Sequence, residues 1–167
     1  APAVSSSLSP RRVSGVPERA GALVVIGYLE RVALPGWGVT ALTAKVDTGA
    51  DTSALHVDDL RAVGSTRVAF RVGGDDGATR EVQARIARRG WVRCSSGEEE
   101  ERVFVRTALS LGGKTRVVEL GLVDRSRMQQ RMLLGRSALE GWFLVDPSRT
   151  FSCPPGLAPV GAPPPVT

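Results

Sequence analysis

Apolar and polar positions alternate with a period of two over most of this chain, and Gly, Pro, Asp and Ser clusters interrupt the alternation at short intervals. Leu23 to Leu34 is an apolar, β-rich run that closes at Pro35-Gly36 and predicts one long or bent strand. Val39 to Val46 predicts a second strand that runs into a loop at Asp47, and Asp51 to Asp59 reads as a short irregular or extended segment. Arg67-Val68-Ala69-Phe70-Arg71-Val72 alternates charged and apolar side chains, breaks at Gly73-Gly74-Asp75-Asp76-Gly77, and returns through Arg80 to Arg88, which is hairpin chemistry. A second hairpin has Ser95 to Glu101 at its tip and returns through Val103 to Leu109. Leu111-Gly112-Gly113-Lys114 turns into a strand over 115–123, Arg131 to Leu134 is a buried strand that passes at Gly135 into a short helix, and 141–146 is a last strand stopped by Pro147. Roughly eight or nine strands with hardly any helix predict an all-β barrel or sandwich.

Composition sets the limits of that domain. Residues 1–21 are rich in Ser, Pro, Ala and Arg without periodicity and read as a flexible arm; 22–150 form the domain; 151–167 read as a Pro-rich disordered tail. A chain of 167 residues is most simply one domain able to bury a core without disulfides. Its two cysteines, Cys94 and Cys153, are read as free thiols in a reducing compartment, and no apolar run has the length of a signal peptide or of the about 18 residues a membrane span needs. The expectation is a cytoplasmic protein with no membrane partner.

The net charge of +5 rests almost wholly on Arg, since Lys45 and Lys114 are the only lysines. Between Arg61 and Arg136 there are 16 Arg and Lys against 9 Asp and Glu, so the excess sits in the middle of the chain and favours acidic partners. Aromatic residues are few and do not interleave with the basic ones, which points away from nucleic acid. Solvated surface arginine is the structural alternative.

The candidate chemistry starts at Val46-Asp47-Thr48-Gly49-Ala50-Asp51, where a strand delivers a carboxylate to the mouth of a Gly turn. By itself Asp-Thr-Gly is also ordinary turn chemistry. Near the other end stands Leu133-Leu134-Gly135-Arg136, leading into the short helix. Together, in this order on an all-β background, the two motifs resemble the retropepsins, the dimeric aspartic proteases. The stretch from Ile26 to Pro147, roughly three quarters of the chain, is similar to bacterial proteins named ATP-dependent zinc proteases, which have a retropepsin-like fold. Further points of match are Ile26-Gly27, Ala33-Leu34-Pro35, Thr52 to His56, Ser95-Ser96-Gly97, Arg106-Thr107, Leu111-Gly112 and Phe143 to Pro147.

The resemblance implies a retropepsin-like barrel with one short helix near the C-terminus. It implies that Asp47, Thr48 and Gly49 form half of a catalytic centre, completed by the same loop of a second copy. Thr48 would brace the two loops across the dimer, and Gly49 would present an N–H to the carboxylates. Asp51 and Arg136 would form a buried ion pair near the dimer base. Asp124 or Asp146 as a partner carboxylate within the chain is the competing geometry. Nothing in the residues answers to the words zinc and ATP: there is no His-Glu-x-x-His and no phosphate-binding Gly-Lys-Ser or Gly-Lys-Thr, and His56 is the only histidine. A set of His56, Asp58, Asp59 and Cys94 matches no usual ligand spacing, so neither a metal nor a cofactor is expected.

Substrate is a peptide or protein. Two hairpins, residues 67–88 and 91–109, compete for the role of a flap over it, and their arginines suit carboxylates. Ala50, His56, Arg93 and Arg106 are the candidate substrate-binding residues, while Glu98 to Glu101 read as solvent-facing. Relatives are linked to ligases that add oligoglutamate to proteins, which makes a glutamate-rich chain the candidate substrate. The expectation is a homodimeric aspartic endopeptidase acting on acidic or polyglutamylated peptide. The alternative is a module of the same fold that binds such a chain without cutting it.

Overall fold

A computed structural model describes residues 22–94, 96–124 and 129–153; the expected arm at 1–21 and the tail beyond 153 lie outside them. The strands are β1 (Val24–Ile26), β2 (Leu29–Leu34), β3 (Val39–Val46), β4 (Ser53–His56), β5 (Asp58–Val63), β6 (Arg67–Gly73), β7 (Thr79–Arg93), β8 (Glu99–Leu111), β9 (Lys114–Val123), β10 (Met132–Leu134) and β11 (Phe143–Val145), and the helix α1 is Arg136–Leu139. Six strands in the order β2-β3-β10-β4-β9-β8 close into a barrel, because β8 meets β2 again at Ser110 and Ala33. Closure satisfies the edge groups of those strands. The expected all-β, retropepsin-like barrel with one short helix near the C-terminus is what the chain forms.

Side-chain alternation fixes which face is inside. Ala44 and Val46 of β3, Met132 and Leu134 of β10, Leu55 of β4, and Leu120 and Leu122 of β9 are buried in one cluster. Their odd-numbered or even-numbered neighbours Lys45, Leu133 and Gly121 therefore point to the outside of the barrel. β6 follows the same rule, with Val68, Phe70 and Val72 in the core and Arg67 and Arg71 exposed. Arg116 of β9 donates to the carbonyls of Ala138 and Glu140 at 3.1 Å each, which closes the C-terminal end of α1 onto the barrel.

Three expectations are revised. The run from Leu23 to Leu34 is two strands, because β1 pairs in parallel with β11 as a separate two-stranded sheet whereas β2 joins the barrel. They part at Gly27, where the backbone of Arg149 fills the space a Cβ would need. The segment 51–59 likewise divides into β4, inside the barrel wall, and β5, an edge strand along β6 whose six residues are all exposed. The two hairpins are not separate units. β7 is one continuous 15-residue strand that pairs with β6 at its start and with β8 at its end.

The start of the presumed tail is held to the domain. Phe151 N donates to Leu29 O at 2.8 Å. Glu30, a carboxylate with no exposed surface, accepts from the N–H groups of Gly27 at 2.8 Å, Ser152 at 3.0 Å and Cys153 at 3.4 Å, and from Ser152 Oγ at 2.6 Å. A buried charge is tolerated when its lone pairs are filled in this way. Among the described residues no helix is long and apolar enough to cross a membrane.

Candidate active site

The two motifs separated by most of the chain meet at one place. β3 and β10 run parallel with Val46 opposite Leu134, so the chain leaves both strands side by side. Asp47 N then donates to Leu134 O at 2.8 Å, Arg136 N to Ala50 O at 2.8 Å, and Ser137 N to Asp51 O at 3.0 Å. Gly135 sits between them with its N–H on Ser53 Oγ at 3.0 Å. Its missing side chain is required, since a Cβ there would overlap the carbonyl of Thr52 and stand 3.0 Å from Ala50 O. The Asp47 loop is thus sutured to the β10–α1 junction by backbone hydrogen bonds, which hold it more firmly than an ordinary surface turn.

Within the loop Gly49 N donates to Asp47 Oδ1 at 3.0 Å, and Ala50 N donates to Asp47 O at 3.2 Å. Asp47 is half-buried, and Thr48 and Gly49 are exposed at the loop tip. Arg136 reaches back from α1, with Nη1 donating to Thr48 O at 3.0 Å and Nη2 4.0 Å from Asp51 Oδ1. The expected pairing partners are therefore adjacent. Among the described residues the two side chains are 54% and 81% exposed, so the pair is not buried within the single chain.

Asp47 opens onto a cleft of about 730 Å³. Lys45, Ala50, Asp51 and Leu133 line one side, and Trp91, Arg93 and Arg102 from the β7–β8 hairpin line the other. Of the two hairpins, this is the one that faces Asp47. Among the candidate substrate residues, Ala50 and Arg93 line the cleft and two others do not. Arg106 opens on a separate groove of about 570 Å³ with Trp37, Arg67 and Arg85, and lies 3.6 Å from Glu119. His56 stands at the far end of β4, with Nε2 3.3 Å from Asp58 and Nδ1 3.9 Å from Asp124. Arg102 is one of the hairpin arginines expected to suit carboxylates and Lys45 opens the matched Asp-Thr-Gly stretch, whereas Trp91, Val92, Gln129 and Gln130 are cleft residues that the sequence reading did not single out. For Arg102 a signal exists, because its position in β8 shares the parity of Phe104, a buried aromatic.

The competing carboxylates are engaged elsewhere. Asp124 faces His56, and Asp146 takes both the hydroxyl and the N–H of Ser148, which lower its carboxyl below the usual range, with Arg149 3.2 Å away. Neither lines the Asp47 cleft. Zinc does not fit the donors that were considered. Cys94 lies on the hairpin, 3.4 Å from Glu100, while His56 is among aspartates on the barrel wall, and among the described residues no group of three or more His, Cys, Asp or Glu is placed to hold a metal.

Over 133 residues the chain is 36% identical to a protein of Shewanella pealeana named probable alpha-L-glutamate ligase, a match covering 76% of this chain and 29% of that protein. A protein of the same name from Desulfotalea psychrophila is 36% identical over 137 residues, covering 74% of this chain and 28% of its own length. The chain therefore spans less than a third of these curated relatives. A solved structure from Legionella pneumophila, a protein of unknown function, superposes with a TM-score of 0.65 at 27% identity, covering 78% of this chain and 98% of that one. Residues 25–155 match the model of the RimB-like family, described as retropepsin-like aspartic endopeptidase RimB, and the chain belongs to that family.

Proposed function

We propose that the protein is an aspartic endopeptidase whose catalytic unit is a homodimer, each copy contributing Asp47, and that its substrate is an acidic or polyglutamylated peptide. The observation that supports this most is the docking of Asp47-Thr48-Gly49 onto Leu134-Gly135-Arg136 at the mouth of a cleft that holds no other Asp-Thr-Gly. Two carboxylates brought within about 3 Å cannot both ionise, so one keeps a proton and the other takes one from a water. That water attacks the peptide carbonyl, the protonated carboxyl donates to the carbonyl oxygen, and the tetrahedral species collapses with proton transfer to the leaving amine. Gly49 N–H, already on Asp47 Oδ1, orients the carboxylate. Thr48, exposed beside it, braces the partner loop in this reading. Lys45, Arg93 and Arg102 give the cleft a cationic lining against Asp47 and Asp51, which suits an acidic chain. The thiols of Cys94 and Cys153, both free, suit work in the cytoplasm.

A second reading draws on the relatives. Their name, glutamate ligase, belongs to proteins of which this chain covers less than a third, so this fold can serve there as a module that holds a glutamate chain without cutting it. One pair of assays separates the readings. Poly-L-glutamate and neutral peptides are incubated with the wild type, with and without a chelator, and with Asp47→Asn. The peptidase reading requires cleavage that ignores the chelator and is lost in the variant. Turnover that survives Asp47→Asn would defeat it, and binding of polyglutamate without any cleavage would favour the module.

A further inference from the structure

One cation of the cleft differs from the others in being out of water. Arg102 is 4% exposed, whereas the Arg93 side chain is 75% exposed. A guanidinium keeps its charge when buried, so its desolvation has to be offset by negative charge or strong acceptors. Its place is built by the strands beneath it. Arg102 lies opposite Gly90 of β7, and its stem crosses Gly121 of β9, where a Cβ would stand 3.2 Å from Arg102 Cδ and 3.0 Å from Phe104 Cε1. Gly121 pairs with Ala54, Ala54 with Leu133, and Leu133 with Lys45. Lys45, Leu133, Ala54 and Arg102 all line the Asp47 cleft. One row of the barrel's outer face thus forms a small, apolar floor between Lys45 on β3 and Arg102 on β8, four strand spacings or about 19 Å apart along the sheet.

One negative charge that faces Arg102 is carried by an exposed side chain. Glu100 Oε2 lies 3.9 Å from Arg102 Nη2, beyond hydrogen-bond length, and its side chain is 57% exposed. Its neighbour Glu99 stands 3.9 Å from Arg93 in the same way. Both belong to the run Glu98-Glu99-Glu100-Glu101, so the hairpin lays its own glutamates beside the cations of the cleft. A long, exposed ion pair is weak and readily exchanged for a closer carboxylate.

We propose that Arg102 is the specificity residue of the cleft, the one that receives an acidic side chain of the bound peptide, and that Glu100 is a resting counter-ion, displaced when that side chain arrives. This deepens the reading of the cleft as a site for acidic peptide and rests on it.

The test is binding, so that it does not depend on catalysis. Full-length Asp47→Asn protein, which holds substrate without cutting it under the proposed function, is titrated with fluorescent oligoglutamate and with the isosteric oligoglutamine, and anisotropy gives the preference between them. The preference is expected to fall about ten- to hundredfold in Arg102→Gln, the loss typical of a hydrogen bond to a charged group. Arg102→Lys is expected to keep part of it, since the charge stays and the fork is lost. Glu100→Gln is expected to tighten oligoglutamate several-fold without changing oligoglutamine. Should Arg102→Gln fail to fold, Gly121→Ala shifts the stem while keeping the charge and is expected to lower the same preference. An unchanged preference in a folded Arg102→Gln or Gly121→Ala protein, no preference for glutamate in the parent, or weaker oligoglutamate binding in Glu100→Gln would each overturn the proposal. Absence of cleavage by the wild type, with these ratios intact, would remove the peptidase reading and leave Arg102 standing.

Discussion

Replacing Arg136 by Ala separates what this side chain does within one chain from what it does between two. In the chain it makes one hydrogen bond, Nη1 to Thr48 O at 3.0 Å, and one ion pair, Nη2 to Asp51 Oδ1 at 4.0 Å. With the two side chains 54% and 81% exposed, the ion pair is worth about 0 to 1 kcal/mol. The bond to the carbonyl adds about 0.5 to 1.5 kcal/mol. The backbone bonds Arg136 N to Ala50 O and Ser137 N to Asp51 O survive the substitution, so the loop stays attached to α1. The isolated chain should lose about 1 to 2 kcal/mol, a fall of roughly 3 to 8 °C in melting temperature. A dimer built on this face takes the same pair out of water, where loss of one partner costs about 3 to 5 kcal/mol. That is about two to three and a half orders of magnitude in the dimer dissociation constant for each of the two pairs a symmetric dimer holds. Sedimentation velocity across a dilution series, thermal melting and peptide hydrolysis should therefore show a modest loss of stability, a large loss of dimer, and turnover that falls with the dimer. Unchanged association and turnover in Arg136→Ala would refute the reasoning. A melting temperature reduced far beyond the range above would show that the pair acts within the chain.

Three further outcomes follow from particular contacts. Glu30→Gln turns one acceptor oxygen into a donor against buried N–H groups and should cost about 2 to 4 kcal/mol in urea unfolding, with the segment after Arg149 becoming accessible to limited proteolysis. Gly135→Ala places a methyl group against the Thr52 carbonyl, a backbone atom that cannot step aside, and should destabilise by about 1 to 3 kcal/mol while lowering turnover further through displacement of the Asp47 loop. Burial, and then the charge of Glu30, push the Cys153 thiol up, so it stays protonated and iodoacetamide should modify it slowly until the pH is raised well into the alkaline range; unfolding with urea should abolish that lag.

What could be read from the sequence, and what could not, follows from where each signal is written. Arg67 to Gly73 declares a half-buried strand because Val68, Phe70 and Val72 share one face while Arg67 and Arg71 mark the other. β5 is silent because Asp58–Val63 buries neither face, so no alternation is imposed on it. Leu23 to Leu34 looks continuous because both of its strands are apolar, and only the choice of partner, β11 or β3, divides them. The site was legible where the chemistry is local, since Asp47, Gly49, Gly135 and Arg136 are required residue types at fixed places. The substrate residues were less so. Arg102 and Arg106 share one face of β8 by parity, yet Phe104 stands between them with Arg88 stacked 3.7 Å over its ring, so the face is divided into two grooves and Arg106 falls outside the Asp47 cleft. Alternation gives the face of a strand; what partitions that face is set by neighbours on other strands.

The central claim is that an active site needs two copies of Asp47, and mixing tests it most directly. Wild type and Asp47→Asn are combined in varying ratio at constant total protein, allowed to exchange subunits, and assayed on an acidic peptide. If both carboxylates are required, activity falls as the square of the wild-type fraction, because only a dimer of two wild-type chains turns over. A linear fall, in which each wild-type chain keeps its full activity beside an inactive partner, would contradict the account.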